Sequence, residues 1–263
     1  MLTVAMYGLN TGWQRGRTMR APGSASYCIR PGYISRAVPA YFRDDEATRD
    51  GLVWQPDVYP AAARLATRLG ARRIADIGCG RGDKLAALHP RFEIVGIDIG
   101  PNIAHCRARY PHGTWLEHNL DTPSPLPLGP EQLDGTVIVC ADVIEHLTRP
   151  DYLLNNLYAA LQQAAALVIS TPERDLFSGF GDLGPPRNPA HTREWTIQEF
   201  TRLLRRTGFA TGRVSLTRCD RAPVPRRGDL GMVERTPKVA PSHVLAVPPQ
   251  PPPPPRRRST APD

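Results

Sequence analysis

Beyond residue 56 the hydrophobic and polar positions fall into short apolar runs separated by amphipathic stretches. Asp57–Leu69 places Val58, Ala62, Leu65, Ala66 and Leu69 at helical spacing, which predicts a helix ahead of the first strand. Apolar runs at Arg73–Ile77, Glu93–Asp98, Thr114–Glu117, Thr136–Cys140 and Ala166–Ser170 predict strands. Between and after them, Asp83–Leu88, Asn102–Tyr110, Asp151–Ala160 and Thr196–Thr207 predict helices. Weaker strands are expected near Arg213–Thr217 and His243–Val247, at the far edge. Regular alternation with mostly apolar strands predicts an α/β fold, a mostly parallel sheet with helices on both faces.

The two ends break this pattern. Residues 1–30 are rich in Gly, Arg and Ser without periodicity, and the sequence predicts a loosely ordered N-terminal segment there. Aromatic and acidic residues between Tyr33 and Trp54 suggest a lid before the first helix, within a domain spanning 31–247. Residues 248–263 begin with a nearly pure proline run and continue through Arg256, Arg257 and Arg258, which predicts a disordered polyproline II tail. Such a tail suits an SH3-like or anionic partner, but composition favours a simple solvated extension.

Length and composition narrow the setting. At 263 residues, 41% of them hydrophobic, the chain can bury one well-formed core. It has no apolar run long enough to span a membrane and no compact apolar stretch at its start, so a soluble, unsecreted protein is expected. The five cysteines, Cys28, Cys79, Cys106, Cys140 and Cys219, are scattered and lack a Cys-x-x-Cys pair, which fits reduced thiols in a cytoplasm. The net charge of +8 resides mainly in residues 213–263, with 10 basic against 4 acidic residues; residues 1–212 hold 23 against 21. A near-neutral core makes nucleic acid an unfavoured partner, because phosphate needs a basic surface beside the site.

The most informative segment is Asp76-Ile77-Gly78-Cys79-Gly80-Arg81-Gly82, in which a buried strand meets three glycines at alternate positions and then a helix. Such a loop lets a ligand approach the backbone, and by itself it leaves dinucleotides, S-adenosylmethionine (SAM) and a plain tight turn open. Asp98 ends the next strand 22 residues on, where an acid can bridge two ribose hydroxyls. With its acid two residues before the first glycine, the stretch Trp54–Phe209 resembles the class I SAM-dependent methyltransferases. Its wider character resembles bacterial stand-alone methyltransferases that act on natural products and glycans. The resemblance implies a Rossmann-like sheet with an antiparallel last strand, and SAM as cofactor. By the same resemblance Gly78, Cys79, Gly80 and Gly82 flank the methionine part of SAM, and Asp76 holds its amino group. Asp98 binds the ribose, Asn119 stands where the family reads the adenine amine, and Asp142 completes the cofactor wall.

Beyond the fourth strand, Asp142, Glu145 and His146 share one face if residues 142–146 turn as a helix. His146 could act as general base on an acceptor hydroxyl. Alternatively Glu145 and His146 join His191 to hold a divalent metal. The segment resembles, with Asp142 at its first position, the Glu-x-x-Glu-His motif of small-RNA 2′-hydroxyl and quinone-ring O-methyltransferases. Asn188–Trp195, which contains His191, resembles the His-x-Arg-x-Trp/Phe stretch of small-molecule methyltransferases. Thr171–Asp175 is expected at the pocket rim, Arg193 and Glu173 are candidates to pair, and the Gly/Pro-rich Phe177–Pro189 has the character of a cover. The expected function is methyl transfer from SAM to a small-molecule or glycan acceptor, at a hydroxyl oxygen. RNA ribose or base methylation, and a non-catalytic SAM-binding scaffold working through the tail, are the alternatives.

Overall fold

A computed structural model describes residues 2–9, 27–39, 53–54, 56–210, 212–218 and 220–221. The chain begins with β1 (Leu2–Leu9), β2 (Val53–Trp54), α1 (Val58–Leu69), β3 (Arg73–Ile77) and α2 (Asp83–Ala86). It continues through β4 (Glu93–Asp98), α3 (Gly100–Arg109), β5 (Thr114–Glu117), α4 (Pro130–Leu133) and β6 (Thr136–Ala141). A single 3-10 turn at Ile144–His146 precedes α5 (Pro150–Leu161), β7 (Ala166–Pro172) and α6 (Arg174–Ser178). The described chain closes with α7 (Ile197–Arg206), β8 (Arg213–Arg218) and β9 (Asp220–Arg221). Every apolar run up to Ala166–Ser170 became a strand within two residues of its expected limits. The expected strand at His243–Val247, the lid residues 40–52 and the proline tail lie outside the described residues.

Seven strands form one sheet in the order β5-β4-β3-β6-β7-β1-β8. From β5 to β7 all neighbours are parallel, with Asp76 of β3 in register between Gly96 of β4 and Val139 of β6. Side chains alternate faces along each strand, and β6 shows the consequence. Val137 and Val139 enter one apolar cluster with α1 and α3, through Val58, Ala62, Leu65, Ala66, Ile103 and Cys106. Ile138 and Cys140 enter the other, against Leu153, Leu154 and Leu157 of α5 and Phe200, Leu203 and Leu204 of α7. Each such fully buried aliphatic side chain contributes about 1.5–3 kcal/mol relative to exposure. Burial on both faces is why these strands read as continuous apolar runs.

The start of the chain departs from expectation. Leu2–Leu9 does not form part of a loose segment; it inserts between β7 and β8, antiparallel to both, with Leu9 opposite Ala166 and Tyr7 opposite Arg213. The outer edge of β7 offers unpaired backbone groups that an eight-residue strand satisfies. The last long strand, β8, is antiparallel to β1 and so runs in the same sense as β3 to β7; the antiparallel strand of the sheet is β1 instead.

Residues 27–36 are likewise tied down, as a strap across the segment that follows α6. Tyr27, Cys28 and Ile29 are buried, and Trp195 Nε1 donates to the Tyr27 carbonyl at 3.0 Å. Tyr27 Oη donates to Asp151 at 2.9 Å, and Tyr33 Oη accepts from the Glu194 N–H at 2.9 Å. Beneath Tyr33 lies Arg174, almost wholly buried, paired through both terminal nitrogens with the Glu199 carboxylate at 3.0 Å. Cys28, Cys79, Cys106 and Cys140 are free thiols, and no helix among the described residues is long and apolar enough to cross a membrane.

Candidate functional site

The chain leaves β3 toward β4 and β5 on one side of the sheet, then returns to β6 and β7 on the other. Parallel sheets bind ligands outside the carboxyl ends of the strands where the order reverses in this way. A cavity of about 610 Å³ lies there, lined by Gly78, Cys79 and Gly80 after β3, Asp98 ending β4, and His118 and Asn119 after β5. Asp142, Glu145 and His146 line it from beyond β6, and Asn188, Ala190 and His191 close the far wall. The volume suits one ligand of cofactor size with a small acceptor.

The glycine loop is built for close approach. Gly78 and Gly82 have φ of +84° and +76°, a region that strains any side chain. A Cβ on Gly78 would also lie 2.3 Å from Val143 Cγ2, and one on Gly82 2.8 Å from the Trp115 ring. Backbone bonds from Gly78 and Cys79 N–H to the Ile97 carbonyl hold the loop against β4. Asp98 completes that attachment, accepting from Gly80 N–H at 2.8 Å, Ile99 N–H at 2.7 Å and the Asn102 amide at 3.1 Å. Asp76 is fully buried below the loop and accepts from Tyr59 Oη at 2.7 Å.

Asn119 lines the cavity, but its side-chain oxygen already accepts from Asp121 N–H at 2.9 Å in a local turn. A contact to an adenine amine there falls to the oxygen's second lone pair. Beside it, His118 presents a buried Nε2 with no hydrogen-bond partner, a site residue that sequence reasoning missed. Tyr59 and Asn102 were also missed; both sit on helices whose apolar periodicity concealed a polar role.

Residues 142–146 are not the helix expected. Asp142 takes a left-handed conformation, φ +52°, and only Ile144–His146 turns. The sharp exit from β6 sets Asp142 beside Ser170, whose hydroxyl donates to it at 2.8 Å, and buries Glu145 completely. A non-glycine residue held in this region stores strain of order 1–3 kcal/mol, a feature that clusters at functional sites. Despite the different path, Glu145, His146 and His191 converge, with one donor atom from each within 4.8 Å of the others.

Neighbouring groups fix the state of each donor. Asn188 Oδ1 accepts from Ala190 N–H, so its Nδ2 faces His191 Nε2, 3.0 Å away, as donor. His191 therefore carries its proton on Nδ1 and donates it to Glu194 Oε1 at 2.6 Å. His146 Nδ1 donates to the Ala190 carbonyl at 3.0 Å, leaving Nε2 as the lone-pair nitrogen. Thr171 Oγ1 donates to one Glu145 oxygen at 3.0 Å, while the other is buried without a hydrogen-bond partner. An imidazole anchored through Nδ1 to a carboxylate or carbonyl is the usual outer arrangement of a metal-ligating histidine, but His191 Nε2 already accepts from the Asn188 amide, which must turn aside before that nitrogen can ligate. Two imidazoles and a carboxylate also form a donor set suited to a divalent first-row cation.

Burial dominates the electrostatics. It pushes the Glu145 carboxyl well above the usual range, and the nearby Asp142 charge adds to this. It holds His146 down to about 3, with His191 reinforcing the effect, although the ring keeps some exposure to the cavity. The two groups pull stability in opposite directions. His146 resists protonation in the fold, so its contribution is lost as pH falls from its ordinary 6.5 toward about 3. Glu145 resists ionisation, so its contribution is present below its ordinary 4.5 and lost as pH rises through its raised value. For metal-free protein these groups therefore contribute a stability plateau between pH 4.5 and 6.5, falling on both sides. Urea midpoints across this range check it. Glu145→Gln should remove the alkaline decline, and an unchanged decline would show that Glu145 ionises normally.

Of the expected rim segment Thr171–Asp175, Pro172 lines the cavity, but the charged residues expected beside it turn away. Glu173 caps α6 through Leu176 N–H and accepts from Ile197 N–H, so it does not pair with Arg193. Arg193 instead donates to the Leu147 and Thr148 carbonyls while lying over the Tyr27 ring. Of the expected cover, Phe177 and Asn188 reach the cavity. The spacing of Asn188, His191 and Glu194, three residues apart, was the one sequence signal that the orienting partners of His191 were at hand.

A profile described as "Methyltransferase domain" matches residues 50–212. The chain is 37% identical over 150 residues to a "probable S-adenosylmethionine-dependent methyltransferase" of Mycolicibacterium smegmatis, covering 56% of this chain and 55% of that protein. It is 34% identical over 136 residues to a trans-aconitate 2-methyltransferase of Afipia carboxidovorans, covering 49% and 47%. A solved TehB-like SAM-dependent methyltransferase of Corynebacterium glutamicum is 22% identical, with a TM-score of 0.40 over 58% of this chain and 72% of that one. The chain thus spans about half the length of the two relatives it matches by sequence.

Proposed function

Because the chain belongs to the methyltransferase-domain family, we propose that its cavity binds SAM and directs the methyl group onto a hydroxyl oxygen of a small-molecule or glycan acceptor. The observation that carries this is the single cavity joining the Gly78–Gly82 loop and Asp98 at one end to Glu145, His146 and His191 at the other. SAM supplies an activated methyl group, so the residues need mainly to align the acceptor and exclude water.

In this reading Gly78, Cys79 and Gly80 flank the methionine part, Asp98 holds the ribose, and His118 and Asn119 the adenine edge; Asp76 and Gly82, which line no part of the cavity, shape the loop from behind. Asp142, braced by Ser170, closes the wall between cofactor and acceptor. Glu145, His146 and His191 are the residues that would hold a divalent cation, which would lower the pKa of an acceptor hydroxyl. We favour this over His146 as a free general base. An imidazole whose conjugate acid sits at about 3 is a poor proton acceptor at neutral pH.

Two measurements test these assignments. Asp98→Ala should weaken S-adenosylhomocysteine binding about 10- to 100-fold by calorimetry, as expected for lost charged hydrogen bonds; unchanged affinity would misplace the ribose. Titration with Co²⁺ should produce a visible d–d spectrum in the wild type that His191→Ala loses. An identical spectrum in both, or none in the wild type, removes the cation.

A further inference from the structure

We infer that the layer formed by α1, α2 and α3 is a docking surface for single-stranded nucleic acid, with the His89 and His112 rings as its base-stacking slot. This surface stands apart from the SAM cavity and does not depend on the methyltransferase reading. The near-neutral charge of residues 1–212, 23 basic against 21 acidic, is an average over two unlike faces. The three helices cover the face whose core contains Val58, Leu85 and Ile103. Within residues 58–69, 81–91 and 100–110 there are seven arginines and lysines and a single acid, Asp83. On the other face, α4, α5 and α7 balance Glu131, Asp151 and Glu199 against Arg202, Arg205 and Arg206.

The cations of the first face are contiguous. Arg64 and Arg68 stand one turn apart on α1, and Arg91 donates to Thr67 Oγ1 beside them at 2.6 Å. Arg81 lies 3.2 Å from His105 Nδ1 of α3, one turn before Arg109. Between these groups α2 forms the bridge, with Lys84 over the Tyr59 ring of α1 and Asp83 accepting from Tyr110 at the end of α3. Arg64, Arg68, Arg91 and Arg109 are exposed, so their guanidinium groups can meet a row of phosphates.

Charge alone would suit any polyanion, and the rings narrow the choice. His89 and His112, both exposed, stack with centroids 4.2 Å apart and planes 29° from parallel, and Tyr110 meets His112 edge-on at 6.2 Å. The two histidines open onto a cavity of about 360 Å³ at the amino ends of β3, β4 and β5, where Thr114 and Gln132 add neutral hydrogen-bonding groups. Flat rings beside arginines are how proteins take unpaired bases, with stacking on the ring and phosphates on the cations. An anionic lipid surface would engage the arginines but leave the slot without a partner. Because the slot lies at the opposite end of the strands from Asp98, a strand bound there anchors the protein and does not present the acceptor.

Fluorescence anisotropy of the full chain with short labelled oligouridylate and oligothymidylate tests this. Binding should weaken with salt. In Arg64→Gln/Arg68→Gln/Arg91→Gln the slope of log affinity against log salt should shrink by about 2, the loss of three phosphate contacts. His89→Ala/His112→Ala should bind roughly tenfold more weakly with the slope unchanged, the mark of lost stacking. Every residue altered is exposed, so both variants should keep urea midpoints close to the wild type. Unchanged binding in both variants overturns the proposal. So does binding abolished by Arg256→Gln/Arg257→Gln/Arg258→Gln alone, which would move the contact to the C-terminal residues. Tighter binding to phosphatidylglycerol vesicles than to the oligonucleotides, or no oligonucleotide binding at low salt, overturns it as well.

Discussion

Gly78→Ala is expected to weaken S-adenosylhomocysteine binding by at least 30-fold while leaving most of the fold intact. Two effects act at this one position. At φ +84° a Cβ meets its own backbone, costing roughly 1–2 kcal/mol. The same Cβ would lie 2.3 Å from Val143 Cγ2, so either the loop or the exit from β6 must shift. Overpacking of this kind costs about 1–3 kcal/mol. Strain released by moving the loop appears as lost affinity, because Gly80 N–H and Asp98 are held together at 2.8 Å across that loop. Calorimetric titration reads the affinity, and a urea melt on the same sample reads the fold. A second variant separates the two causes. Val143→Ala placed on Gly78→Ala removes the clash but not the backbone strain, and should recover part of the affinity. No recovery would assign the whole effect to the backbone.

Arg174→Met is expected to destabilise the protein by about 3 kcal/mol, the low end for breaking a buried pair. The buried Glu199 carboxylate loses its two 3.0 Å contacts and keeps the Arg30 and Thr196 N–H groups and the Arg30 guanidinium at 3.8 Å. Arg174 also donates to the Glu194 carbonyl and lies under Tyr33, so its loss loosens the strap and the His191 segment together. The double variant Arg174→Met/Glu199→Gln should regain much of the loss, because replacing both members of a buried pair is far cheaper than removing one. Urea unfolding provides the energies. Hydrogen exchange should show the amides of residues 188–195 losing protection in the single variant before the sheet does. Protection lost uniformly would mean that the pair supports the whole fold rather than this segment.

The differences between expectation and structure follow one physical rule. Strand-helix alternation is written in local periodicity, so β3 to β7 and their helices were legible. The glycine loop and Asp98 were legible too, because a left-handed turn demands glycine and β4 ends a fixed distance beyond β3. The insertion of Leu2–Leu9 was not, since its partners are Ala166–Pro172 and Arg213–Arg218 and no local pattern names them. Nor was the strap, whose bonds from Tyr27 to Asp151 and from Glu194 to Tyr33 join residues 124 and 161 positions apart.

The site divides along the same line. Sequence alone determined the α/β layering, the cofactor loop and the residue types Glu145, His146 and His191. Only the tertiary structure decided that these three share one cavity wall, by turning Asp142 left-handed instead of continuing a helix. It also decided the protonation states, through Asn188, Glu194 and the Ala190 carbonyl. Composition supplied the arginines, but hydrogen bonds to backbone carbonyls hold Arg36, Arg174, Arg187 and Arg193 away from the cavity lining. A side chain's type is local information, whereas its partner depends on which distant segments the core brings together.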